Sequence, residues 1–121
     1  MSSICIKNGM IHDAIHPESY QADILIENGK ITEIGHLNPS ENEEVLDITG
    51  FTIGPGLVDT HVHFRDPGFT YKEDLHTGAL AAAKGGFTSV ICMANTKPVV
   101  DHIAVLKDIM TRAKQEKIHI Y

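Results

Sequence analysis

The sequence predicts an α/β fold in two parts: a strand-rich segment over residues 1–54, then strands alternating with helices over residues 55–121. Three observations carry this expectation. Short β-branched runs broken by Asn-Gly pairs fill the first fifty residues, Gly54-Pro55-Gly56 punctuates the chain, and beyond it apolar runs alternate with Ala- and Leu-rich stretches. That last order is the one that gives a parallel sheet with right-handed crossovers.

Ile4 to Lys7 leads into Asn8-Gly9 and on to Met10-Ile11, and Ile24 to Glu27 leads into Asn28-Gly29 and on to Ile34. Asn-Gly between alternating apolar residues favours a type I′ turn, whose central residues both need positive φ. Two hairpins are therefore expected. Val45 to Ile53, interrupted by Gly50, supplies further strand. So small a sheet has open edges and needs more strands or a partner.

Leu57 to Phe64 reads as a buried strand, followed by a Pro- and Gly-containing loop from Arg65 to Thr70. Thr70 and Glu73 have capping-box spacing, and Lys72 to Lys84 reads as a helix that Gly85-Gly86 stops. Phe87 to Met93 is a nearly continuous apolar strand, of the kind buried on both faces of a parallel sheet. After the loop Asn95 to Pro98, Asp101 is placed to cap a helix in which Ile103, Leu106, Ile109, Met110 and Ala113 share one face. Ile118 to Tyr121 opens a third strand. Two units and part of a third cannot close a barrel, so a partial chain of poor independent stability is expected.

Composition narrows the function classes. With 121 residues, 42% hydrophobic and 21% charged, the chain has the balance of a soluble globular protein. It is far shorter than the roughly 250 residues of a complete (β/α)₈ barrel. Sixteen acidic against ten basic residues give a formal charge of −6, which disfavours a nucleic-acid partner because such binding rests on clustered Lys and Arg. No apolar run approaches the ~20 residues of a membrane span, and no signal segment opens the chain. Cys5 and Cys92 lack CxxC spacing and read as reduced thiols of a cytoplasmic protein. Eight histidines are the one excess.

His61 and His63 stand at the end of the first predicted parallel strand. Side chains alternate faces with a period of two, so both imidazoles point one way and can hold one ion, while Val62 packs behind. Active sites lie at such strand ends. An isolated His-x-His is also a common pair of ordinary histidines; the flanks decide, with Asp59 two residues upstream, Gly54-Pro55-Gly56 before the strand and Arg65-Asp66-Pro67-Gly68 after it. Asp59, two residues before His61 on the same face, reads as a structural residue or as one placed to orient an imidazole. His12, His16, His36, His76 and His102 fall in turns or near helix starts and read as surface residues; His119 lies near the beginning of the third strand.

The run Gly54 to Gly68 resembles the opening signature of the amidohydrolase superfamily. Together with Tyr71 to Asp74, Gly85 to Thr88 and Met93 to Pro98, it makes the chain similar to the dihydroorotase family of the long bacterial type. The resemblance covers essentially the whole chain. One departure is Ala94, where many relatives carry proline.

The resemblance implies the N-terminal part of a TIM (β/α)₈ barrel preceded by strands of a small β-sandwich: residues 1–54 belong to the sandwich and 55–121 form the first two and a fraction β/α units. It implies a zinc-dependent cyclic amidohydrolase of pyrimidine biosynthesis that interconverts N-carbamoyl-L-aspartate and L-dihydroorotate, with Zn²⁺ as cofactor and two ions in the intact site. His61 and His63 match metal ligands; His63, Arg65 and Asn95 match residues that border or hold the substrate. Arg suits a carboxylate because its planar fork makes two charge-assisted hydrogen bonds. Arg65 could instead pair with Asp66 or Glu73 on the surface, and Asn95 could simply form a turn. No acidic residue here matches the general acid and base, so residues 1–121 alone are expected to be inactive.

A small-molecule substrate is implied, with a homodimer or an association with aspartate carbamoyltransferase as partner readings. The alternatives are a hydantoinase-, dihydropyrimidinase- or allantoinase-type enzyme, a non-catalytic scaffold subunit of aspartate carbamoyltransferase, and a free-standing β-rich binding module.

Overall fold

A computed structural model describes residues 3–121. The chain divides into two compact units, Met1–Pro55 and Gly56–Tyr121.

The first unit is a five-stranded sheet of β1 (Ser3–Ile11), β2 (Tyr20–Glu27), β3 (Lys30–Gly35), β4 (Glu44–Asp47) and β5 (Thr52–Ile53). The order is β3-β2-β1-β4, and β5 also pairs with β1. β1, β2 and β3 are antiparallel neighbours, whereas β4 and β5 run parallel to β1. The expected hairpin at Asn28-Gly29 is present: Glu27 pairs with Lys30, and the two turn residues hold φ of 52° and 76°.

Asn8-Gly9 is different, and the expected hairpin there is absent. β1 runs straight through it, with a register shift against β2 between Ile6 and Gly9 and Asn8 at φ 63°. The same left-handed preference that serves a turn here serves a β-bulge. The bulge is held by long-range bonds: the Asn8 N–H donates to Asp23 Oδ1 at 2.9 Å, and Asn8 Nδ2 donates to Asp47 Oδ2 at 3.0 Å. Asp23 is buried and also accepts from Lys7 Nζ at 2.6 Å and the Leu37 N–H at 2.9 Å. A buried carboxylate needs such partners. Ile11, Ala22 and Ile24 form this unit's core, backed by Ile6, Tyr20, Ile26 and Ile53.

The second unit is a parallel sheet in the order β6 (Leu57–Val62), β7 (Phe87–Cys92), β8 (His119–Ile120), connected by α1 (Leu75–Lys84) and α2 (Ile103–Ala113). The predicted order β-α-β-α-β is thus observed. α1 starts three residues later than Lys72. Its cap is Asp74, whose side chain accepts from the Thr77 N–H while Thr77 Oγ1 accepts from the Asp74 N–H, so the capping box lies at Asp74/Thr77 rather than Thr70/Glu73. Gly85 and Gly86 end the helix as expected, Gly86 taking φ 84°, a conformation glycine adopts without penalty.

α2 is capped at His102 without a side-chain bond, so Asp101 is not the cap; Asp101 bonds the His102 ring instead. Of the five apolar residues expected on one face of α2, Ile109 and Ala113 are buried and Met110 half-buried, whereas Ile103 and Leu106 are exposed. The three strands present cover only the helix's C-terminal half. The core gathers Phe64, Leu75, Ala79, Val90, Ile109 and Ile120 with their neighbours. Phe64 lies flush on Gly78, where a Cβ would come within 2.6 Å of the ring. Among the described residues no helix is long and apolar enough to cross a membrane.

Candidate active site

β6 delivers His61 on its last turn of pleat and His63 just beyond its end; both side chains are exposed. Their ring centroids are 5.1 Å apart with planes inclined by 64°. Two imidazoles on one tetrahedral zinc, through N–Zn bonds of about 2.1 Å, bring their centroids about 5 Å apart, so the pair as it stands suits a shared ion. Among the described residues no third His, Cys, Asp or Glu completes the set. The donors present are half of a four-coordinate site.

Asn95 lies in the loop after β7, and its Oδ1 stands 2.9 Å from His63 Nδ1. The amide oxygen can only accept, so Nδ1–H donates. That choice of tautomer leaves the lone pair on Nε2 for a metal, and the partner fixes the ring's orientation. It also leaves the two amide hydrogens of Asn95 free to donate to something else. The structure therefore brings His61, His63 and Asn95 together.

Arg65 follows in the loop after β6, half-buried, with its carbonyl accepting from the Phe69 N–H at 2.8 Å. Asp66, its nearest carboxylate in sequence, is not its partner. Asp66 accepts from Arg112 through two parallel bonds, Nη1 to Oδ2 at 2.7 Å and Nη2 to Oδ1 at 2.9 Å. The pair spans 46 residues and carried no sequence signal.

Asp59, Asp66 and Asp74 each accept a hydrogen bond, and Glu73 lines a cavity with Asp59 and His63. Asp59 Oδ1 accepts from the His61 backbone N–H at 3.0 Å, the structural one of its two expected roles. Asp74 caps α1, and the Thr77 backbone N–H holds its carboxyl below the usual range. Burial pushes the Cys92 thiol up to about 11, so it offers no thiolate near neutral pH. The remaining histidines lie elsewhere: His16 pairs with Asp13 and His76 with Glu116, each at 3.0 Å. His119 is in register with Ser89, far down the sheet from His61.

A family model described as dihydro-orotase-like matches residues 50–119, more than half of the chain. The chain belongs to that family. Among curated relatives, proteins named dihydroorotase from Streptococcus pyogenes serotype M1 and Streptococcus pneumoniae serotype 4 are 48% and 47% identical over 118 and 117 residues. These alignments take in 98% and 97% of this chain and 28% of each relative, so the chain spans little more than a quarter of their length.

Solved structures of similar shape include the L-hydantoinase (dihydropyrimidinase) of Arthrobacter aurescens, at TM-score 0.88 and 27% identity, covering 99% of this chain and 27% of that one. The dihydropyrimidinase of Brevibacillus agri NCHU1002 follows at TM-score 0.75 and 28% identity, covering 98% and 26%. This dihydroorotase-like chain thus has the architecture of the N-terminal region of hydantoinase-type amidohydrolases.

Proposed function

We propose that the chain forms the N-terminal part of a dihydroorotase, a zinc-dependent cyclic amidohydrolase interconverting N-carbamoyl-L-aspartate and L-dihydroorotate in de novo pyrimidine biosynthesis. The observation that carries this reading is the meeting of His61, His63 and Asn95 at the ends of two neighbouring parallel strands. On this reading β6, β7 and β8 are the first strands of a (β/α)₈ barrel, and the five-stranded sheet is part of a small β-sandwich. The protein is cytoplasmic, where both thiols stay reduced.

His61 and His63 would hold zinc, in a site that takes two ions when complete. When bound, zinc lowers the pKa of a bound water toward about 7 and polarises the amide carbonyl. The chain's own part is positioning. Asn95 Oδ1 orients His63, and its amide hydrogens would donate, together with the Arg65 fork, to the carboxylate of the substrate. Two adjacent strand ends holding one anion fix the ring amide over the imidazoles, an arrangement that favours hydrolysis and ring closure alike. The general acid and base is assigned to none of Asp59, Asp66, Glu73 and Asp74, because none of them matches that role in the family, and Asp66 is held on both oxygens by Arg112.

The decisive substitution is Arg65→Ala in the full-length protein. kcat/KM for dihydroorotate should fall by roughly two orders of magnitude, the loss of a charged partner for a carboxylate, with zinc content unchanged. Unaltered kinetics would overturn the carboxylate role. The likeness in shape to the Arthrobacter aurescens L-hydantoinase supports a second reading, a hydantoinase-type enzyme. Substrates without a free carboxylate make no use of Arg65, so turnover of hydantoins in preference to dihydroorotate would favour it.

A further inference from the structure

We infer that Asp66 and Arg112 are positioning residues: their ion pair sets where Arg65 presents its guanidinium, and so sets affinity for a carboxylate-bearing substrate. This rests on the carboxylate-binding role proposed above. Asp66 is buried, and both of its oxygens are engaged, Oδ2 also accepting from the Leu75 N–H at the start of α1 at 3.4 Å. It is therefore not available to substrate or metal. Its carboxylate ties three elements together: the loop after β6, the start of α1 and the C-terminal turn of α2, on which Arg112 is also held by Asp108 at 3.0 Å.

The same loop is laced to the loop that carries Asn95. The Lys97 N–H donates to the Pro67 carbonyl at 3.0 Å. Gly68, at φ 93°, lies so close that a Cβ would fall 2.0 Å from the Lys97 carbonyl oxygen. The two loops are thus tied to each other, and the fork between Asp66 and Arg112 is the charged contact that joins them to α2. A bidentate guanidinium–carboxylate pair constrains direction as well as distance. Arg65 is the next residue along, so its backbone inherits that constraint.

The test is a double-mutant cycle in the full-length enzyme, read as KM and kcat for dihydroorotate. Asp66→Asn and Arg112→Met should each raise KM about 10-fold or more, with kcat within about 3-fold and zinc content unchanged, as expected when an orienting partner is lost. In an Arg65→Met background each should raise KM by clearly less than it does alone, because the residue through which they chiefly act is gone. Unchanged KM in both single variants, or an equal loss with and without Arg65, overturns the inference and leaves a purely structural pair. Arg112 is partly exposed, so Arg112→Met carries the test if Asp66→Asn does not fold. Failure of the underlying reading looks different: Arg65→Met by itself would leave KM for dihydroorotate unchanged.

Discussion

His63 Nδ1 donates to Asn95 Oδ1 at 2.9 Å, joining the ends of two parallel strands 32 residues apart in sequence. One amide thus faces two ways, its oxygen toward a metal-ligand candidate and its nitrogen toward the proposed anion. The two roles separate on substitution. Asn95→Asp keeps an acceptor for His63 but places a negative charge against the substrate carboxylate. Zinc content should hold, while kcat/KM for dihydroorotate drops by about 100-fold or more. Asn95→Ala should lower zinc affinity as well, about 10-fold. Metal analysis with steady-state kinetics checks both, and equal zinc loss in the two variants would contradict the division of labour.

Much of this arrangement was legible in the sequence because it rests on local rules. Period-two alternation put His61 and His63 on one face, Gly85-Gly86 stopped α1, and the apolar run from Phe87 became a central strand. The misses share a cause. Asn8-Gly9 satisfies a turn and a bulge equally, and what decides is Asp23, fifteen residues away. Thr70/Glu73 and Asp74/Thr77 have the same spacing, and the choice between them is made by where Leu75 packs. The Asp66–Arg112 fork joins a loop to a helix 46 residues later, and no pattern of neighbours encodes it.

Asp23 should titrate below the ordinary carboxylate range. The hydrogen bond from Lys7, then those from the Asn8 and Leu37 N–H groups, lower its pKa from 3.8 to about 2. The sign follows from a carboxylate depressed on folding: its contribution is fully present above about pH 4 and is lost as pH falls through about 2. By NMR the Asp23 carboxyl carbon, and the N–H signals of Asn8 and Leu37 with it, should shift with a midpoint near pH 2. A midpoint at the ordinary carboxylate value would refute the network. Asp23→Asn should lower stability at neutral pH by about 2 kcal/mol, the worth of hydrogen bonds to a charged group.

Gly78 tests the packing beneath the site. Alanine in a helix interior is ordinarily favoured over glycine by about 1 kcal/mol. Here a Cβ would sit 2.6 to 2.9 Å from three atoms of the Phe64 ring, which is itself buried and cannot swing aside. Overpacking costs typically 1–3 kcal/mol, so the net effect of Gly78→Ala should be destabilising by about 1 kcal/mol. Since Phe64 follows His63 directly, the zinc affinity of the variant should also fall. Thermal unfolding with metal titration measures both, and a stabilised variant would show that the ring yields.

Residues 1–121 by themselves should not hydrolyse dihydroorotate at a measurable rate. Two imidazoles 5.1 Å apart are the metal donors at the strand ends, and among the described residues no group of three or more His, Cys, Asp or Glu could hold an ion. A catalytic zinc site takes three protein ligands and leaves one position for water, so a two-ligand site binds weakly and does not hold the ion against competition. Of the nearby carboxylates Asp66 lies in an ion pair, Asp74 in a helix cap and Asp59 at a strand end, and neither these nor Glu73 matches the family's general acid and base. Zinc binding to the 121-residue chain should therefore be weak and should vanish in His61→Ala, while the full-length protein retains zinc through gel filtration. Turnover by the short chain would mean that a proton-transfer group lies within it, and would reopen the assignment of Asp59, Asp66 and Asp74.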